Sequence, residues 1–174
     1  HVSFLGAGYD KLVMVQSFSK TFAMTGWRIG YLLSPDPELM RELTKMQYYV
    51  TACSNDAMQH AVLEALERYP GYPEEMCSEF KERRDLICER LNAMPGVSCH
   101  VPTGAFYVFP RVEVPGLNSE EVALKLLEGG VLCSPGTAFG EAGEGHLRFA
   151  YTIGREDISR GMDRVEAVLK ELMG

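Results

Sequence analysis

The stretch that decides the fold is residues 17–31, which read SFSKTFAMTGWRIGY. It follows a short apolar run, residues 11–18 (KLVMVQSF), whose composition predicts a strand buried on both faces. The lysine in this stretch, Lys20, therefore comes directly after a strand. The hydroxyl side chains nearest to it in the sequence belong to Ser17, Ser19 and Thr21.

Arg28 follows Lys20 after a turn at Thr25 and Gly26 that would fold the chain back toward the lysine. Hydroxyl groups and a planar guanidinium suit a phosphate group, and a desolvated lysine amine suits covalent bonding to a carbonyl. A lysine is a useful nucleophile at neutral pH only when it is buried or lies beside another positive charge, which Arg28 would supply. On these grounds alone, a solvated lysine and arginine beside an ordinary loop remain the better interpretation.

Composition restricts the classes of protein that the chain can belong to. A length of 174 residues is enough for one sizeable domain, or for one domain and part of another. The net charge of −7 argues against a nucleic-acid or anionic-membrane partner. No apolar run is long enough to cross a bilayer, and the first residues do not resemble a signal peptide. The first residue is His1 rather than Met, so we expect a segment upstream.

The five cysteines are odd in number, and no two have the close spacing of a zinc or redox site. We therefore expect buried or partly buried free thiols in a reducing compartment, which makes the cytoplasm the expected location. His60 and His100 are isolated in the sequence, so no metal site is expected.

The rest of the chain alternates between strand and helix patterns. A second strand is predicted over residues 27–34, and Asp36 with Pro37 predicts a helix start. Ser54, Asn55 and Asp56 offer N-caps for the next helix, and a long helix is predicted over residues 73–94.

Beyond this long helix the pattern is that of a compact α/β unit. Residues 97–101 and 105–112 predict neighbouring strands joined by a turn at 102–104. Ser119 is expected to cap a helix whose inner face is Val122, Ala123, Leu126 and Leu127. Two further strands are predicted at residues 131–134 and 146–152, and a last helix at 155–173. Between these strands lies a glycine-rich segment at 136–145, which predicts either a flexible loop or glycines that serve only to form turns.

The fold class is therefore α/β, with two unequal parts. Residues 53–174 predict a small α/β domain. Residues 1–52 predict only part of something larger, because two strands of the buried type cannot form a stable sheet without neighbours.

Residues 17–30 resemble the cofactor-lysine motif of the class I/II aminotransferases, the pyridoxal-phosphate (PLP) enzymes of fold type I. The motif is S-x-S-K-x-x-x-x-x-G-x-R-x-G, and its fixed positions are occupied by Ser17, Ser19, Lys20, Gly26, Arg28 and Gly30. The segments PTGAFYVFP at 102–110, SPGTAFG at 134–140 and HLRFAY at 146–151 also resemble this family. The resemblance covers essentially the whole chain, which corresponds to somewhat less than half of a family member. It implies that residues 1–52 are the C-terminal end of the large PLP-binding domain, and that residues 53–174, with the interdomain helix, are the complete small α/β domain.

This resemblance implies a role for each matching residue. Lys20 would hold PLP as a Schiff base and transfer the proton during catalysis. Arg28 and Ser17 would bind the cofactor phosphate, with Ser19 a weaker candidate for the same role. Arg148 would bind the α-carboxylate of the substrate, although a structural arginine at a strand edge remains an alternative.

The implied activity is transfer of an amino group between an amino acid and a 2-oxo acid by a homodimeric parent enzyme. A PLP-dependent lyase of the same fold, an aminotransferase-like effector domain of a transcription regulator and a purely structural domain remain alternatives. The aspartate, tyrosine and asparagine that contact the PLP ring in the family are expected upstream of His1, so this chain alone is expected to be inactive. Dimer contacts, if present in this chain, are expected in the first fifty residues, whose apolar surface is not covered by other predicted elements.

Overall fold

The computed structural model describes residues 3–174 as an α/β chain of six α-helices and seven short strands. The strands are β1 (Met14–Ser17), β2 (Gly30–Leu33), β3 (Val97–Ser98), β4 (Tyr107–Val108), β5 (Arg111–Val112), β6 (Ser134–Pro135) and β7 (Leu147–Ala150). The helices are α1 (Phe18–Thr21), α2 (Pro37–Thr51), α3 (Asp56–Arg68), α4 (Tyr72–Asn92), α5 (Ser119–Glu128) and α6 (Arg155–Met173).

The chain divides into two compact units, a first that ends at Glu75 and a second that runs over Met76–Gly174. The division falls within the first turns of α4, later in the chain than the predicted domain boundary between residues 52 and 53. The assignment of residues 1–52 to a larger domain concerns a longer protein and stays a prediction.

In the first unit, β1 and β2 form an antiparallel hairpin in which Met14 pairs with Leu33 and Ser17 pairs with Gly30. Both strands are shorter than predicted, because α1 begins at Phe18 and a 3-10 turn occupies Thr25–Trp27. The expectation that β1 is buried on both faces is wrong for this chain. Val15 is 75% exposed, because a two-stranded ribbon offers no second layer to cover it.

The helices of the first unit begin where their capping residues predict. The Asp36 carboxylate accepts hydrogen bonds from the backbone N–H groups of Glu38 and Leu39 at 2.9 and 3.1 Å, and Pro37 is the first residue of α2. The Asn55 side chain accepts from Met58 N–H and caps α3. The buried residues of this unit form a small cluster, which consists of Phe18, Met24, Ile29, Val62 and Ala65.

The second unit contains the main hydrophobic core and two small sheets. One sheet has the strand order β4-β7-β6, and the other pairs β3 with β5. The predicted pairing of residues 97–101 with 105–112 is therefore only partly right, since β4 pairs with β7 instead. The segment 105–112 divides at Pro110, which has no N–H for a sheet ladder and separates β4 from β5.

Helix α6 has the predicted bounds, and its residues Ile158, Met162, Val165 and Leu169 are all buried.

Helix α5 differs from the prediction in two details. The N-cap of α5 is Asn118 rather than Ser119, because the Asn118 side chain and Glu121 form a reciprocal capping box. The Ser119 N–H and hydroxyl donate instead to the carboxylate of Glu144, at 2.8 and 3.0 Å. Leu127, predicted on the inner face, is 51% exposed.

All five cysteines are free thiols, but two of them, Cys53 and Cys77, are exposed, contrary to the expectation of burial. Cys88 and Cys99 are buried with their sulfur atoms 3.9 Å apart. Burial raises the pKa of the Cys99 thiol to about 12, and burial also raises that of Cys133 to about 11.

The part of the chain that the structure describes contains no cluster of three or more metal-binding side chains. No helix in that part is long and apolar enough to span a membrane.

Two leucines of α5 test the orientation of this helix. Leu126 is fully buried and Leu124 is 59% exposed. Leu126→Ala should lower the free energy of unfolding by about 2–5 kcal/mol, since it leaves a cavity in the core. Leu124→Ala, the matched control, should change it by no more than about 0.5 kcal/mol. Urea denaturation followed by circular dichroism measures both, and equal losses would contradict the orientation of α5.

Candidate functional site

The end of β1 and the start of α1 bring two hydroxyl groups together. Ser17 is the N-cap of α1, and its oxygen accepts a hydrogen bond from the Ser19 N–H at 3.1 Å. The Ser17 hydroxyl also donates to the Ser19 hydroxyl at 2.9 Å. The two serines predicted at a phosphate site are therefore held against each other by the capping geometry.

Arg28 is held close to these serines by a 3-10 turn and by Thr25. Arg28 has a left-handed backbone conformation with φ of 53°, and its Nη1 donates to the Thr25 carbonyl at 2.9 Å. The Thr25 hydroxyl donates to the Ser19 carbonyl at 2.9 Å, which ties this turn to α1. The sequence predicted the turn but not this linking role of Thr25, for which a hydroxyl before Gly26 was the only signal.

Ser17, Ser19 and Arg28 line one open cavity of about 420 Å³ in the first unit. The remaining polar residues in its wall are Gln16, Tyr31, Gln47 and Ser54. Gln47 comes from α2 and was not singled out from the sequence. Ser54 comes from the segment before α3 and was named only as a possible N-cap. Two hydroxyl groups and a guanidinium facing one cavity are a donor set that fits a phosphate group.

Lys20 lies on α1 next to Ser19, but it is not part of the wall of this cavity. One residue along an α-helix turns a side chain by about 100°, which separates its direction from that of Ser19. Lys20 and Arg28 are both exposed, so the desolvation that a nucleophilic lysine requires is not provided by the described residues.

Arg148, the predicted carboxylate ligand, lies in the second unit on the central strand β7. Leu147 and Phe149 on either side of it are buried in the core, so the alternation of a strand directs Arg148 to the opposite face of the sheet. Its guanidinium carbon lies 4.5 Å from the centroid of the Tyr107 ring and 4.2 Å from that of the Phe139 ring.

Phe139 comes from the glycine-rich segment that was expected to form a flexible loop. The segment folds into two 3-10 turns, Gly136–Phe139 and Glu141–Gly143, as the alternative of turn-forming glycines predicts. Gly136 and Gly143 touch so closely that a Cβ on Gly136 would lie 2.0 Å from the Gly143 carbonyl oxygen. The Gly136 N–H also donates to the His146 carbonyl at 2.7 Å, so the turns are tied to the strand that carries Arg148.

Comparison with known proteins gives the class to which this fold and these residues belong. The family model described as aminotransferase class I and II matches residues 2–165. The chain belongs to this family, whose members use PLP as their cofactor.

Individual relatives agree with this class. The chain is 41% identical over 173 residues to an aromatic-amino-acid aminotransferase of Thermococcus litoralis. The aligned region covers 98% of this chain and 44% of that protein. It is 42% identical to an aspartate aminotransferase of Pyrococcus abyssi, with the same coverage. The solved structure of an alanine aminotransferase from Pyrococcus furiosus superimposes with a TM-score of 0.88 at 38% identity, over 98% of this chain and 45% of that one. The chain thus spans less than half the length of these relatives.

Gly30 allows a test of the hairpin that carries the serines. A Cβ on Gly30 would lie 2.5 Å from the Gln16 carbonyl oxygen, whereas a Cβ on Gly26 would meet no atom within 4 Å. Gly30→Ala should therefore force β1 and β2 apart at a cost of about 1–3 kcal/mol, and Gly26→Ala should not. Hydrogen exchange of the β1 and β2 amides measures the effect, and equal protection in both variants would contradict the close approach of the two strands.

Proposed function

We propose that the protein to which this chain belongs is a PLP-dependent aminotransferase that transfers an amino group between an amino acid and a 2-oxo acid. The observation that carries the proposal is the meeting of Ser17, Ser19 and Arg28 at one cavity, directly beside Lys20 in the chain. This arrangement supplies phosphate-binding groups and an amine from one short segment. Family membership supports the same activity.

The described residues fit PLP through their hydrogen-bond donors. The Arg28 guanidinium and the hydroxyls of Ser17 and Ser19 would hold the cofactor phosphate. The Lys20 amine would hold PLP covalently until the amino group of the substrate displaces it. The released amine would then take a proton from the α-carbon of the substrate and return it during transfer. PLP, when bound, supplies the electron sink that makes this α-carbon acidic.

Arg148 is proposed to bind the α-carboxylate of the substrate. A guanidinium donates two parallel N–H bonds to a carboxylate, which fixes orientation as well as charge. Every amino acid and every 2-oxo acid carries this group, so Arg148 selects the class of substrate and not its side chain. The names of the relatives, which include aromatic, aspartate and alanine aminotransferases, support the same class of substrate.

A second copy of the protein is the proposed partner. Helix α2 of the first unit carries a run of large apolar side chains on its exposed surface, with exposed fractions of 60–81% for Met46, Tyr48, Tyr49 and Val50. Such a surface is typical of a protein–protein contact. The free thiols favour a reducing compartment, which supports a cytoplasmic location.

The cofactor assignment is tested on the full-length protein with PLP. Borohydride reduction followed by peptide mapping should place the cofactor on the peptide that contains Lys20. Lys20→Ala should abolish both the absorbance band of the bound cofactor and the labelling. Lys45→Ala, which removes an exposed lysine of the same unit, should leave both unchanged. Labelling of another lysine would contradict the assignment, and turnover that needs no 2-oxo acid would indicate a lyase.

The substrate role of Arg148 is tested by steady-state kinetics of the same full-length protein. Loss of one partner of a desolvated charge pair costs about 2–5 kcal/mol, so Arg148→Ala should raise KM for the amino acid by about thirtyfold or more. PLP absorbance should be unchanged. Arg111→Ala, which removes an exposed arginine of the same unit, is the control and should leave KM unchanged. Loss of PLP absorbance with an unchanged KM would contradict the role of Arg148.

A further inference from the structure

The contacts of Arg148 differ from those of the other arginines in the second unit. Its guanidinium lies over two aromatic rings, those of Tyr107 and Phe139. Over residues 3–174, no carboxylate forms an ion pair with Arg148. Arg83 provides a contrast, because it lies 5.3 Å from the Phe80 ring centroid but also donates to the Glu79 carboxylate at 2.8 Å. Arg83 is therefore neutralised within the chain, whereas Arg148 is packed but has no acidic partner there.

The position of the Tyr107 ring is determined by the sheet. Tyr107 on β4 pairs with Ala150 on β7, which lies two residues after Arg148 and points to the same face. Tyr107 and Arg148 are thus diagonal neighbours across two antiparallel strands, a separation that long and aromatic side chains reach. The backbone pairing itself brings the ring to the guanidinium.

The position of the Phe139 ring is determined by packing at the other side of β7. Phe139 ends the first 3-10 turn after β6, the strand that pairs with β7 at Ser134 and Arg148. Its ring meets that of Phe109 edge to face at 6.0 Å between centroids. The Phe109 ring stacks in turn on the His146 ring at 5.1 Å, with 9° between the ring planes. The Phe139 ring therefore packs on Phe109, which packs in turn on His146, and the turn that carries Phe139 is held by the close contact of Gly136 with Gly143.

We propose that Tyr107 and Phe139 are positioning residues for the carboxylate site: their rings cover the guanidinium of Arg148 and leave its N–H edge for a planar carboxylate. This inference rests on the proposed function of Arg148. A guanidinium attracts aromatic faces through cation–π contacts, which hold it without using its N–H donors. An arginine held this way loses little side-chain freedom when the carboxylate binds, so the rings increase affinity by preorganisation.

The test uses the full-length protein without PLP, labelled with ¹⁵N, and pyruvate as the carboxylate probe. The Nε–H resonance of Arg148 reports both the mobility of the side chain, through its heteronuclear NOE, and pyruvate binding, through its shift. Phe139→Leu removes the ring but keeps an apolar side chain, and should increase mobility and weaken pyruvate binding by about two- to tenfold. Phe139→Tyr keeps the ring and should restore binding to within about twofold of the unchanged chain.

Phe80→Leu is the matched control, since it removes the ring under Arg83 and neither of the two rings that contact Arg148. It should change neither the mobility of Arg148 nor the binding of pyruvate. If Phe139→Leu binds pyruvate as tightly as the unchanged chain, the positioning role is wrong while the carboxylate role of Arg148 stands. If pyruvate does not shift the Arg148 resonance even in the unchanged chain, both the carboxylate role and the positioning role are overturned.

Discussion

The second unit depends on the central strand β7, which pairs with β4 on one side and β6 on the other. Its side chains alternate, so Leu147 and Phe149 are buried in the core while Arg148 emerges on the opposite face. A shift of one residue in this register would bury the guanidinium and expose the two apolar side chains, at a prohibitive cost. The hydrophobic core and the position of Arg148 are therefore set by the same constraint.

The first unit is built differently, and its proposed site shows the consequence. Its buried cluster contains five residues, its hairpin has one layer, and Lys20 and Arg28 are exposed. Local hydrogen bonds are enough to gather the phosphate-binding groups, because Ser17, Ser19, Thr25 and Arg28 lie within one short segment. These local hydrogen bonds are not enough to desolvate a lysine, which requires enclosing side chains from distant parts of a protein. This chain spans less than half the length of its relatives, and we expect the remainder of the protein to supply those enclosing side chains.

The two units also illustrate two ways of controlling a positive charge. Arg28 is held by a hydrogen bond from its Nη1 to the Thr25 carbonyl, which uses one of its donors. Arg148 is held by aromatic rings, which leave all of its donors available to a ligand. The second arrangement is suited to a group that must bind and release its ligand in each turnover.

The sequence by itself determined the features that depend on neighbouring residues. The capping side chains Asp36 and Asn55, the apolar spacing of α6 and the motif around Lys20 all act over a few positions, so a pattern in the chain is sufficient to predict them. The tertiary structure alone decided the pairing of β4 with β7, the exposure of Leu127 and the packing of Phe139 on Arg148. These features depend on contacts between residues far apart in the chain, and local propensity and spacing carry no information about which distant partner a strand or ring will meet.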